Sequence, residues 1–161
     1  MSRRSTLSRV LTAALLISTA ACGPRYVTGT KVDYSDAREE VSHVVEHYRQ
    51  AMESRDQNAL RSLASKNYYE NGSTTDDPND DYDVLGLEKV LGELKTTVKA
   101  VKYAVDITAI EVVEDAASVD FEYKAQFLYT VGEQDRWGTS SDKNRLVMRR
   151  ENGDWKIVSG M

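Results

Sequence analysis

Ala117-Ser118-Val119-Asp120-Phe121-Glu122-Tyr123-Lys124-Ala125-Gln126-Phe127-Leu128-Tyr129-Thr130-Val131 alternates without a break, with Val119, Phe121, Tyr123, Ala125, Phe127 and Tyr129 on one parity. Asp120, Glu122, Lys124 and Gln126 occupy the other. Successive side chains of a strand point to opposite faces, so this pattern predicts a long strand with one buried and one wet face, as in an antiparallel sheet. The preceding stretch reads the same way. Val101, Tyr103, Val105 and Ile107 alternate with polar or small residues, after which Ile110 and Val112 fall on the opposite parity. One inserted residue accounts for such a change, so a β-bulge is expected near Ala109. Downstream, Gly132 to Gly138 reads as a turn and Leu146 to Arg150 as a strand. Asn152-Gly153 then reads as a hairpin turn into Trp155-Lys156-Ile157-Val158.

Upstream the period is helical. Ala37, Val41, Val44, Val45, Tyr48 and Met52 form one apolar stripe, so a helix is expected to start at Asp36, with Glu39 three residues on completing a capping box. Asn58 to Ser65 predicts a second, shorter helix that buries Leu60, Leu63 and Ala64. Val84 to Thr97 predicts a third, on Leu85, Leu87, Val90, Leu91, Leu94 and Val98. Between the last two, Asn67 to Gly72 reads as a brief strand. Ser73 to Asp83 is a polar, acidic loop carrying Asp76, Asp77, Asp80, Asp81 and Asp83. Helices first and an antiparallel meander afterwards make an α+β order.

The 161 residues suffice for one domain with a core of its own. Lys and Arg number 21 and Asp and Glu 26, for a net charge of −5. Residues 1–21 hold Arg3, Arg4 and Arg9 and no acid, so the remainder stands at −8. A domain that acidic is repelled by phosphate backbones, which argues against nucleic acid as a partner. With a single cysteine, Cys22, neither an intrachain disulfide nor a Cys-rich zinc site can form.

That cysteine ends a distinctive segment. The basic start is followed by the apolar run Val10 to Ile17, too short for the roughly 20 residues that span a bilayer, and then by Thr19-Ala20-Ala21-Cys22. The last four residues resemble the lipobox of bacterial lipoproteins, with Thr19 where Leu is usual. This resemblance implies a signal peptide over 1–21, lipid attachment at Cys22 and a tether over 22–34. The alternative is an ordinary secretory signal with an incidental cysteine. Gly23 after the cysteine resembles the sorting pattern for the outer membrane, facing the periplasm. Ser2-Arg3-Arg4-Ser5-Thr6-Leu7 is also similar to a twin-arginine motif, so the export route stays open between two systems.

His47-Tyr48-Arg49-Gln50-Ala51-Met52-Glu53-Ser54-Arg55-Asp56 leading into Leu60 and Leu63, with the terminal Asn152-Gly153-Asp154-Trp155-Lys156-Ile157, resembles the nuclear transport factor 2-like (SnoaL-like) superfamily over residues 35–161. The resemblance implies a cone-shaped domain with three N-terminal helices packed on a curved antiparallel sheet. Its members include small isomerases, cyclases and dehydratases as well as noncatalytic binding or dimerising modules, so fold alone leaves activity open.

The enzymes of that family place an Asp or His inside the cone. Here the inward register of the long strand is apolar or aromatic throughout. Candidate pocket residues are Tyr69 (with Tyr68 as the alternative), Tyr103, Phe121, Tyr123, Phe127 and Trp155. Glu70 and Asp106 are the only acids near them, and no catalytic residue is assigned. The plainer reading of these aromatics is core. His43 and His47 share the four-residue spacing of metal ligands, yet both fall off the apolar stripe of the first helix, so exposure is expected and no metal is assigned. The Asp76 to Asp83 cluster lacks the spacing of a calcium-binding EF-hand loop. No Ser-His-Asp order, phosphate loop or dinucleotide fingerprint occurs, and no cofactor is expected. The expected function is a noncatalytic envelope lipoprotein that binds a small apolar ligand or a protein partner, with a homodimer through the sheet as one form. The alternative is a small enzyme using proton transfer in the cone.

Overall fold

The computed structural model describes residues 23–72 and 81–161. Cys22, the signal segment and most of the acidic loop, including Asp76, Asp77 and Asp80, lie outside the described residues. Three helices and six strands follow one another as α1 (Asp36–Ser54), α2 (Gln57–Leu63), β1 (Tyr69–Glu70), β2 (Tyr82–Asp83), α3 (Val84–Thr97), β3 (Val98–Val113), β4 (Ala116–Val131), β5 (Gln134–Glu151) and β6 (Asp154–Ser159). The last four strands make one antiparallel sheet in sequential order, and β1 pairs with β2 in a separate two-stranded ribbon.

Each helix starts on a short polar side chain that accepts otherwise unpaired amide hydrogens. For α1 this residue is Ser35, which accepts from the Arg38 amide, and not Asp36. Glu39 therefore closes no capping box. Its carboxylate reaches out of the helix and accepts from the Thr28 amide at 3.1 Å. Asp56 caps α2 and Asp83 caps α3 in the same manner. The left-handed Arg55 (φ 52°) ends α1 and returns its amide to the Met52 carbonyl. Residues 26–34 form a small folded loop: Tyr26 bridges Asp33, the Val27 amide bonds to the Val32 carbonyl, and the Val27 side chain is buried in the core. Only Gly23 and Pro24 precede the folded body among the described residues, since the Arg25 carbonyl accepts from the Tyr34 amide at 2.8 Å.

The sheet is longer than the sequence pattern implies. β5 begins at Gln134 and pairs residue for residue with β4 down to Val131, so most of Gly132 to Gly138 is strand and the turn is confined to Gly132-Glu133. The expected bulge is present. Pairing runs Ile107↔Phe121 and then Ala109↔Asp120, leaving Thr108 as the extra residue, and its hydroxyl donates to the Asp120 carbonyl at 3.1 Å. A second register shift lies at the start of β3 and a third between β5 and β6. Bulges sharpen local twist, which is how a flat meander becomes a curved one. The Asn152-Gly153 turn has positive φ at both residues, as a two-residue hairpin requires.

The helix α1 lies across the concave side. Val41, Val45, Tyr48 and Ala51 are buried against Val101, Tyr103, Ile110, Val119, Phe121, Leu146 and Met148 from the sheet. β3 is one of the two edge strands, and α1 also guards its free edge. The Tyr103 amide donates to Glu53 at 3.1 Å, while the Tyr103 carbonyl and the Val98 carbonyl accept from Arg49 and Arg55. Occupied edge groups cannot template further strands.

Candidate functional site

The interior of the cone is built from aromatic rings delivered by three elements. Tyr48 on α1 meets the Tyr103 ring of β3 edge to face, with centroids 5.9 Å apart. Tyr103 stacks on Tyr123 of β4 at 5.6 Å, and Tyr123 tilts against Phe121 at 6.5 Å. These are the separations at which aromatic pairs attract beyond their area burial. Tyr103 and Phe121 are buried and Tyr123 is half-buried. Of the sequence-derived pocket residues, the structure brings these three together. Phe127 sits four residues beyond Tyr123 on the same face of β4, half-buried beside the core. Trp155 is buried at the other end of α1, where its indole N–H donates to Glu40 at 3.3 Å and the Arg150 guanidinium lies 4.6 Å above the ring. Glu40 and Tyr48 are eight residues apart on α1, or about 12 Å along the helix.

Tyr69 is not in the cone. It is 53% exposed and its hydroxyl donates outward to Asp81. Tyr68 takes the inner place, 2% exposed and stacked on Tyr82 at 6.2 Å. Two strand residues give too few positions for a parity to be read, and the Tyr68-Tyr69 pair differs only in register. Asp106 points to solvent on β3, and both histidines lie on the exposed side of α1. Glu70 is the acid that reaches inward. Its Oε2 accepts from the Tyr68 hydroxyl at 2.8 Å and from the Gly160 amide at 2.6 Å.

The residues after β6, absent from the sequence reading of the site, complete it. The Met161 amide donates to the Tyr68 hydroxyl oxygen at 3.0 Å, and the Tyr82 hydroxyl donates to the Met161 carbonyl at 3.2 Å. Asn144 donates its side-chain amide to the Gly160 carbonyl at 2.9 Å. The Met161 side chain packs against the core. Removal from water raises the phenols. Burial pushes the Tyr48 hydroxyl well up, with Tyr103 adding to it; burial and then the bond to Glu70 push Tyr68 up; and burial raises Tyr103 and Tyr82. All four are neutral at physiological pH. They can donate and accept hydrogen bonds, and they form a polar lining without charge.

A groove of about 510 Å³ runs over the sheet, lined by Phe121 and Asn144 together with Thr108, Asp120, Glu122, Lys143 and Arg145, where Asp120 pairs with Arg145 and Glu122 with Lys143. A cavity of about 290 Å³ opens between the 28–30 loop, α1 and the Val105–Ile107 stretch of β3. No group of three or more His, Cys, Asp or Glu side chains is placed to hold a metal ion among the described residues. Nor, among those residues, is any helix long and apolar enough to cross a membrane.

In fold, this architecture is similar to the nuclear transport factor 2-like cone. The solved structures it is similar to include a nuclear transport factor 2-like superfamily protein from Salmonella enterica, with a TM-score of 0.63 and 17% identity over 76% of this chain and 87% of that one. A ketosteroid isomerase-like protein from Erwinia carotovora atroseptica matches with a TM-score of 0.62 and 15% identity over 79% of this chain and 95% of that one. A protein from Novosphingobium aromaticivorans provisionally assigned as a scytalone dehydratase matches at 0.64 and 18% identity, over 76% and 79% of the two chains. At such identities the likeness speaks for the fold. No family model and no curated protein sequence matches the chain.

Proposed function

We propose that the chain is a noncatalytic lipoprotein of the bacterial envelope, anchored through Cys22 and probing the periplasm with a cone-fold domain that binds a small apolar ligand or a protein partner. The observation that carries this reading is the engagement of Glu70: this inward-reaching acid has its inner oxygen held by Tyr68 and by the Gly160 amide. A general base needs an oxygen within hydrogen-bond reach of the proton it removes, and here that reach is spent on the protein itself. The aromatic packing of Tyr48, Tyr103, Tyr123 and Phe121 supports the same reading. Lipid attachment is supported by the lipobox-like Thr19-Ala20-Ala21-Cys22, and two or three acyl chains give stable anchoring.

The test has two readouts on the full chain expressed in a bacterium. The Cys22 peptide is expected to carry acyl mass and the protein to sediment with membranes, while Cys22→Ala stays unprocessed; an unmodified cysteine on a freely soluble protein refutes the anchor. Extraction in mild detergent is then expected to retain a stoichiometric partner or an apolar small molecule, identified by native mass spectrometry. A second reading, a small proton-transfer enzyme, draws on the cluster of Glu70, Tyr68 and Tyr82 and on the dehydratase and isomerase names of the structural neighbours. It expects cyclic ketones or phenols to bind in a manner lost in Glu70→Gln, with turnover; binding without turnover favours the first reading.

A further inference from the structure

Gly160 and Met161 together present four main-chain polar groups, and each meets a different side chain. Glu70 accepts from the Gly160 amide, Asn144 donates to the Gly160 carbonyl, Tyr68 accepts from the Met161 amide and Tyr82 donates to the Met161 carbonyl. Those side chains come from three separate regions of the chain: the 68–70 segment, β2, and β5. A segment that merely trails off a sheet has its peptide groups solvated. Here two successive peptide units are read on both edges, while the Met161 side chain enters apolar surroundings.

The fit at Gly160 is equally particular. Its φ is +96°, and a Cβ built there would stand 2.0 Å from the Arg145 carbonyl oxygen. Main chain cannot yield as a flexible side chain does, so only glycine is accepted at this position. The segment that occupies the site is thus selected at one residue by sterics and at both by hydrogen bonding.

We infer that Glu70, Tyr68, Tyr82 and Asn144 form a dipeptide-binding site at the cone, specific for glycine followed by a long apolar residue, and that Gly160–Met161 is its intramolecular occupant. The ligand class is a short peptide whose glycine takes a positive φ, held chiefly by its backbone, with which the chain's own segment competes. The inference rests on reading the domain as a binding module, and it names the site that module uses.

The test removes the occupant and supplies it in trans. A chain ending at Ser159 is expected to melt several degrees below the full chain, and N-acetyl-Gly-Met-amide at millimolar concentration to restore most of that loss saturably. The same peptide leaves the full chain unmoved, and N-acetyl-Ala-Met-amide restores nothing. Glu70→Gln in the shortened chain is expected to weaken the rescue at least tenfold. If the shortened chain fails to fold, Gly160→Ala in the full-length chain keeps the question open to measurement, because expulsion of the segment then shows as fast amide exchange at 160 and 161. Equal melting of full and shortened chains, equal rescue by the Ala peptide, or slow exchange in Gly160→Ala overturns the inference. A failed rescue beside a partner retained in mild detergent overturns this site alone and leaves the binding-module reading standing.

Discussion

Replacing Phe121 by Ala separates a packed cone from a hollow one. Phe121 is 1% exposed at the centre of β4, paired through the backbone to Ile107 on one side and Asn144 on the other. Hydrogen-bonded neighbours on both flanks prevent the strand from collapsing into the space the ring leaves. The loss is then the transfer term plus an unrelieved cavity, about 3–5 kcal/mol for a buried Phe→Ala change. The Tyr123 ring at 6.5 Å contributes to the upper half of that range. About 4 kcal/mol corresponds to a fall in Tm on the order of 15 °C for a domain of this size. Urea denaturation read by far-UV circular dichroism measures it, with an unchanged m-value confirming that the loss is one of native stability. Phe127→Ala, half-buried on the same face, is the control and should lose roughly half as much. The new cavity is apolar, so benzene should partly restore Phe121→Ala and leave the parent unaffected. A loss below about 1.5 kcal/mol refutes the packing argument, because a ring that lines an empty pocket leaves no new cavity behind.

Alkaline pH should unfold the domain cooperatively. Tyr48, Tyr68 and Tyr103 have folded-state values raised above the ordinary 10.0, chiefly by burial. Their contribution is intact below pH 10 and is lost as pH rises, since the unfolded chain releases protons that the native state retains. Three retained protons give a slope of about 4 kcal/mol per pH unit above 10, so absorbance at 295 nm should show these phenols ionising together with the loss of ellipticity. Independent titration of all nine tyrosines in a folded protein would contradict it. Glu53→Gln weakens the carboxylate that accepts from the Tyr103 amide and pairs with Arg49, costing about 1 kcal/mol and exposing the β3 edge, with more aggregation on heating seen by light scattering. Asp83→Ala removes the cap that accepts from the Leu85 and Gly86 amides, and should cost about 1 kcal/mol in urea melts; a neutral result would show that α3 is held by packing alone.

The legible parts of the chain are those where one face is buried and the period is long. The alternation from Val119 to Tyr129 located β4, and the parity change at Ala109 located the bulge of β3, since burial on one side is written directly into residue type. The first half of β5 left no such trace. Gln134 to Lys143 is exposed nearly throughout, so nothing selects apolar residues there, and its strand state comes from pairing with β4. The start of α1 at Asp36 was legible but its cap was not: Ser35 and Asp36 are both good caps, and only the geometry shows which oxygen faces the open amides. In the site, Tyr103, Phe121 and Tyr123 were readable from strand parity, whereas Tyr68 and Tyr69 could not be told apart on a two-residue strand. Gly160–Met161 carries no pattern, because backbone groups do the recognising and every residue has them. Gly160 was the available signal, as a glycine placed directly after a strand.

Amide hydrogen exchange at Gly160, followed by NMR on the folded chain, tests the closed cone most directly. Its N–H is bonded to Glu70 inside the domain, so exchange should be slowed at least tenfold relative to an unstructured peptide and should speed up in Glu70→Gln. Exchange at the free-peptide rate in the parent chain would mean that Glu70 is unoccupied and the cone open, contrary to the reading of a binding module closed by its own residues.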